Sequence, residues 1–444
     1  MKLLLNNILI VNEGKEFKGA ILINNEKIEK IWDTPVLSFP ENKNIRIINL
    51  EGYIALPGVI DTHVHFREPG LTQKADFFTE SQAAVAGGVT TVFDMPNVKP
   101  PTTTIKHWQE KQKIVSQKSL VNYALYIGAT NDNINELSKA DFSQIPAIKV
   151  FMGSSTGNLL VNDINTLQQI FSLGKQIVAH CEDEQIIQQN LKLAKNNFGE
   201  NIPISWHSKI RNEEACFNST TFAVKLAQKH NTPFHLLHLS TAKELDFVEK
   251  NKSDNITIEV VINHLFFDET NYDELGTLVK FNPSAKTQKD RKKLIKSLNT
   301  NIVDIVSTDH APHTLKEKQQ SYLKAPSGVP MIQHSLIAMI ELYKMGFVSL
   351  PAIAEKMAHN PAKIFNIEKR GFLREGYFAD IVIIDTEATT TITKDSLLYK
   401  CKWSPFEGRT FHSKIKYTII NGQIIFDNGK INTTYRGMPV KFDR

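Results

Sequence analysis

From residue 54 onward the chain repeats one pattern: a short apolar run, a polar break, then an amphipathic stretch. The apolar runs, at 54–65, 90–95, 121–128, 147–151, 176–180, 234–238, 257–262 and 302–308, read as eight strands. Stretches with helical spacing lie between them, such as 77–86, 105–117, 163–173 and 213–230. Eight strand-then-helix repeats over roughly 300 residues predict an α/β fold of the (β/α)8 TIM-barrel type. A doubly wound sheet is the alternative, but no Gly-rich phosphate loop follows the first strand.

The two ends carry a different pattern. Runs at 3–11, 20–23, 28–32 and 45–50, and again at 380–385, 415–421 and 423–426, read as short strands. Asn421-Gly422 is a hairpin signal. The ends are therefore expected to join in one small β-sandwich, made of residues 1–53 and 367–444, beside a barrel of residues 54–366.

Composition narrows the class. A charged fraction of 22% and a hydrophobic fraction of 41% are ordinary for a globular enzyme. The net charge of +5 is spread out, and its densest cluster, 286–296, reads as a solvated helix face rather than a nucleic-acid patch. Cys181, Cys216 and Cys401 form no CxxC pair, which fits a reducing cytoplasm. The apolar start breaks at Asn6 with no small-residue cleavage site after it, and no stretch is long enough to span a membrane.

The chemistry gathers at strand ends, where barrel enzymes place their sites. His63 and His65 close the first strand, and their i, i+2 spacing puts both imidazoles on one face. Lys149 lies in the fourth strand. His180 closes the fifth, His238 the sixth, and Asp309 follows the eighth. Any one of these histidines alone reads as a satisfied core residue; their convergence on one end reads as a metal site. An unmodified lysine beside divalent ions would be repelled, whereas a lysine carboxylated by carbon dioxide carries an anionic carbamate. Cys181, next to His180, is expected to point the other way as a packed thiol.

The stretches His63-Val64-His65-Phe66-Arg67-Glu68-Pro69-Gly70, Asp94-Met95-Pro96-Asn97 and Asp309-His310-Ala311-Pro312-His313 resemble those of dihydroorotases, metal-dependent cyclic amidases of the amidohydrolase superfamily. The resemblance implies that His63, His65 and Asp309 bind one divalent ion and His180 and His238 a second. Both ions are expected to be zinc, with a carboxylated Lys149 between them. It implies that Arg67, Asn97 and His313 hold the carboxylate of dihydroorotate, with Asn282 and Gly328 as further substrate contacts. Asp309 would move a proton from the attacking water to the departing ring nitrogen. Relatives are usually dimers or tetramers. The chain departs from some dihydroorotases at Ser284-Ala285-Lys286, and Lys149-Val150-Phe151-Met152-Gly153 is closer to hydantoinases and allantoinases. The rivals are an allantoinase, whose usual counterpart of Arg67 is not arginine, or a dihydropyrimidinase-like amidase, and an inactive barrel scaffold. Segments 153–160 and 313–328 are the candidates for closing over a substrate.

Overall fold

In the computed structural model of the chain, which describes residues 2–37, 45–153 and 158–444, the apolar run expected as one strand over 54–65 is two strands in two sheets. The N-terminal segment forms β1 (Lys2–Asn12), β2 (Lys15–Asn24), β3 (Lys27–Trp32), β4 (Ile45–Asn49) and β5 (Tyr53–Pro57). After Gly58 the chain begins β6 (Val59–Val64), which belongs elsewhere. Gly58 N–H donates to the Asp380 carbonyl at 2.8 Å. A Cβ at this position would lie 2.3 Å from the Thr90 side chain, so the crossing between sheets needs a glycine.

β6 runs parallel to β7 (Val89–Asp94), and β7 to β8 (Asn122–Leu125). The next six strands, β9 (Ile127–Gly128), β10 (Ile148–Phe151), β11 (Ile177–His180), β12 (Phe234–Leu236), β13 (Ile256–Val261) and β14 (Ile305–Ser307), form a parallel sheet in sequence order. The expected strand over 121–128 is thus also divided, at Tyr126, whose hydroxyl donates to the Thr62 carbonyl at 2.9 Å. Val64 bridges His310 in parallel, and His65 N–H donates to the His310 carbonyl at 2.8 Å, which ties the segment after β14 back to β6. Helices lie between the strands; α1 (Phe77–Ala86) starts on an Asp76 capping box and α2 (Ile105–Lys118) on a Thr104 cap.

The C-terminal segment forms β15 (Ile381–Asp385), the short pair β16 (Thr390–Thr391) and β17 (Thr410–Phe411), then β18 (Lys414–Ile420), β19 (Gln423–Asp427) and β20 (Lys430–Ile431). Strands from both ends share one continuous nine-stranded sheet in the order β20-β19-β18-β15-β5-β1-β2-β3, with β4 beside β1. The seam is β5 against β15, antiparallel from Pro57–Ile381 to Tyr53–Asp385. Period-two alternation sorts its faces. Ala55, Ile381 and Ile383 join Leu3, Leu5 and Ile8 in a core of their own, whereas Ile54, Leu56, Val382 and Ile384 join the large core around the parallel strands. Both faces are buried, which is why these strands read as unbroken apolar runs.

Residues 437–443 serve the other part of the molecule. Val440 N–H donates to the Tyr123 carbonyl at 2.9 Å and Phe442 N–H to that of Ser143 at 3.0 Å. The Phe442 ring lies edge-on to Phe93, centroids 5.7 Å apart, in a buried cluster with Ile60, Val178 and Ile305 of the parallel strands. Phe442→Ala is expected to destabilise the protein by about 3–5 kcal/mol, read as a lowered urea midpoint. A loss below about 1 kcal/mol would mean that the tail is peripheral to this core.

The basic cluster at 286–296 is only partly the solvated face expected. Lys289, Lys292 and Lys296 are exposed, but Lys286 is buried, its ammonium donating to Ser284 Oγ at 2.8 Å and to the Ser284 carbonyl at 3.1 Å. Among the described residues no helix is long and apolar enough to cross a membrane.

Candidate active site

The C-terminal ends of the parallel strands open into a cavity of about 670 Å³. Its lining brings together His63, His65, Lys149, His180, His238, Asp309, Arg67, Asn97, Asn282, His313 and Gly328, along with Lys74, Lys99 and Phe151. Residues this far apart in sequence meet because each sits at or just past a strand end. Three of them hold left-handed backbone: Arg67 at φ 66°, His238 at 37° and Asp309 at 47°. Non-glycine residues are uncommon there, and such outliers collect at functional sites.

The histidine partners assign the ring tautomers. His63 Nδ1 lies 2.8 Å from Glu259 Oε1 and His65 Nδ1 lies 2.6 Å from Asn97 Oδ1, so both rings carry their proton on Nδ1. Their Nε2 lone pairs then face the Asp309 carboxylate, 3.3 Å and 3.0 Å from Oδ1. On the other side His180 Nε2 meets Glu182 Oε2 at 2.8 Å, which leaves its Nδ1 toward His238 Nε2 at 2.9 Å. His238 Nδ1 is buried and has no hydrogen-bond partner among the described residues. Glu182 is itself held by Arg211, Nη2 to Oε2 2.6 Å.

Burial favours the neutral form of His65, His180 and His238. It pulls His65 down to about 4, and lowers His180 and, further, His238. Burial would raise Asp309, but His63 and His65 outweigh it and hold the carboxyl below its usual range. The same balance holds for Glu259, where His63 and His235 overcome burial. Below the site Asp61 is pushed up to about 7 by burial, against a 2.6 Å hydrogen bond from Thr308 Oγ1. Neutral imidazole lone pairs converging on an ionised carboxylate are a donor set that fits divalent metal. The ligand atoms of His63, His65 and Asp309 lie within 4.8 Å of one another.

Lys149 is buried on β10, its Nζ 4.5 Å from the Phe151 ring centroid. No carboxylate lies within ion-pair distance of its ammonium among the described residues. Burial pulls its amine down to about 7. Cys181 is the packed thiol expected, with Sγ 3.8 Å from Met152 Sδ.

Arg67 is buried, its Nε–H donating to the Pro312 carbonyl at 3.0 Å and its Nη2 lying 3.0 Å from His313 Nε2. Burial lowers its pKa to about 10, which leaves it charged. No carboxylate lies within ion-pair distance of it among the described residues. Asn282 Oδ1 is a second polar atom without a partner there. Gly328 holds φ 134°, and a Cβ on it would meet the Ala311 carbonyl at 2.5 Å, so close approach explains this glycine. Segment 313–328 lines the cavity through His313, Pro326, Ser327 and Gly328; of segment 153–160, residues 154–157 lie outside the described residues.

Sequence reasoning missed Glu259, Glu182, Arg211 and Lys74. Glu259 had a signal, a lone carboxylate in the apolar run of β13; the other three had none.

The amidohydrolase family profile matches residues 54–425. The chain is 34% identical to the dihydroorotase of Methanosphaera stadtmanae, over 93% of this chain and 94% of that one. It is 33% identical to the dihydroorotase of Pyrococcus furiosus, over 96% and 95%. Among solved structures, the L-hydantoinase (dihydropyrimidinase) of Arthrobacter aurescens superposes with a TM-score of 0.93 at 25% identity, covering 99% of each chain.

Proposed function

Because the chain belongs to the amidohydrolase family, we propose that it catalyses the reversible hydrolysis of dihydroorotate to N-carbamoyl-L-aspartate, a step of de novo pyrimidine synthesis. One observation carries the choice of substrate. Arg67 is a buried guanidinium at the cavity wall with no carboxylate partner among the described residues, and a buried charge calls for one. The carboxylate of dihydroorotate supplies it, and the guanidinium fork suits that shape. Allantoin and dihydrouracil lack that group. A scaffold reading is disfavoured because all six ligand positions are filled.

His63, His65 and Asp309 would hold one metal ion and His180 and His238 another, with Lys149 between the two sets. Zinc suits imidazole and carboxylate donors, and divalent ions held there supply Lewis acidity that lowers the pKa of water and polarises the ring carbonyl. Glu259, Asn97 and Glu182 fix which nitrogen each ring offers. As a free amine, Lys149 Nζ adds to carbon dioxide; an N–C bond forms, one proton leaves to solvent, and the side chain becomes an anion. Arg67, Asn97 and His313 orient the substrate carboxylate, and Asn282 Oδ1 accepts from a ring N–H. Asp309 accepts the proton of the attacking water as the O–C bond forms. It returns that proton to the ring nitrogen as the C–N bond breaks. Cyclisation of carbamoyl-aspartate runs the same transfers backward.

The same proposal takes residues 54–366 as a closed (β/α)8 barrel, supported by the Val64–His310 bridge, and residues 1–53 and 367–444 as a sandwich domain, supported by the β5–β15 seam. It takes the enzyme as a cytoplasmic homo-oligomer, dimer or tetramer.

The test is ring opening of dihydroorotate, allantoin and dihydrouracil by the purified protein with Zn²⁺ and bicarbonate. Turnover of dihydroorotate alone is expected. Preference for either uncarboxylated ring overturns the substrate, and no turnover with two metals bound brings the scaffold reading forward.

A further inference from the structure

Lys74 lies in the turn before α1, and its Nζ is 2.9 Å from His313 Nδ1 and 3.0 Å from Glu317 Oε1. The bland account is a partly exposed Lys74–Glu317 ion pair worth little. The contact with His313 says more. An ammonium only donates, so Nδ1 must present its lone pair and the ring proton must sit on Nε2. A second contact agrees independently: His313 Nε2 lies 3.0 Å from the Ser327 carbonyl, which only accepts. A doubly protonated ring is disfavoured because burial, then Arg67 and Lys74, hold His313 well below the ordinary histidine range.

This tautomer decides what Arg67 can do. Arg67 Nη2 and His313 Nε2 are 3.0 Å apart, and both now carry hydrogens, so neither accepts from the other. In the opposite tautomer Nε2 would accept from Arg67. That internal hydrogen bond would have to break before a substrate carboxylate could take the same donor. We infer that Lys74 is a positioning residue which, through the ring tautomer of His313, commits His313 Nε2–H to the Ser327 carbonyl and so keeps Arg67 Nη2–H free of an internal acceptor, as a donor for a substrate carboxylate oxygen. The inference rests on the dihydroorotate reading for its substrate and on this geometry alone for its tautomer.

The test joins ring spectra to kinetics. In protein with ¹⁵N-labelled histidine rings, long-range ¹H–¹⁵N spectra are recorded without substrate, and His313 is assigned by its loss in His313→Asn. Wild type and Lys74→Arg, which keeps a donor, are expected to show Nδ1 unprotonated and Nε2 protonated. Lys74→Met is expected to move the proton wholly or partly to Nδ1. The same variant is expected to raise KM for dihydroorotate about 10- to 100-fold, the scale of one hydrogen bond to a charged group, with kcat little changed. Lys74→Arg is expected to restore KM. An unchanged His313 spectrum in Lys74→Met, or an equal fall of kcat and kcat/KM that Lys74→Arg does not rescue, overturns the inference. If wild type opens no dihydroorotate, the functional reading fails and takes the carboxylate half with it, while the spectra still decide the tautomer half.

Discussion

Asp309→Asn is expected to lower kcat for dihydroorotate by about 10,000-fold, the upper range for a lost general acid–base group. The side chain keeps its size and one acceptor oxygen, so the fold has little reason to change. What goes is the negative charge that faces His63 and His65 Nε2 at 3.3 Å and 3.0 Å, and with it the only carboxylate of the candidate metal triad. An amide oxygen is too weak a base to take a proton from water and has none to give the ring nitrogen. Left-handed backbone at φ 47° is tolerated by asparagine at least as well as by aspartate, so strain does not confound the result. The measurement is kcat beside the thermal midpoint and the zinc content. A variant that binds zinc normally and keeps a tenth of wild-type kcat would remove Asp309 from the proton pathway. One that loses zinc and regains activity at high zinc would make it a ligand only.

Arg67→Met is expected to cost about 30- to 4,000-fold in kcat/KM for dihydroorotate, from about 2–5 kcal/mol for truncating one partner of a buried, hydrogen-bonded charge pair. The loss is expected mainly in KM, because the carboxylate is distant from the reacting amide and is held equally before and during reaction. Folding should not suffer, since methionine replaces a buried cation that has no ion-pair partner among the described residues, and both residues bear the same Cβ at φ 66°. Turnover of an uncarboxylated ring, however slow, is expected to be unchanged, so discrimination collapses even where activity does not vanish. Equal losses on both classes of substrate would assign Arg67 to holding the 309–313 segment through its bond to Pro312 rather than to holding substrate.

Much of the site was legible in the chain because its parts are local. His63 and His65 declare themselves by spacing, and His180, His238 and Asp309 by following apolar runs of strand length. Strand ends in this architecture share one rim, so placing each residue on its strand nearly places it in the cavity. The breaks at Gly58 and Tyr126 were not legible. Apolarity reports burial and nothing about which sheet does the burying, and here the strands on either side of each break are buried alike.

The partners that tune the site were hidden for a related reason. Glu259 lies 196 residues from His63, and Lys74 lies 239 from His313. Hydrogen bonds of this kind are set by approach through space, which no periodicity along the chain encodes. Residue type and spacing were enough to point to parallel strands alternating with helices and to the chemistry of the donors, because those follow from local backbone geometry and side-chain identity. Which imidazole nitrogen faces inward, which cation stands without a counter-ion, and which glycine must admit a neighbouring backbone all depend on contacts that exist only once distant segments have packed.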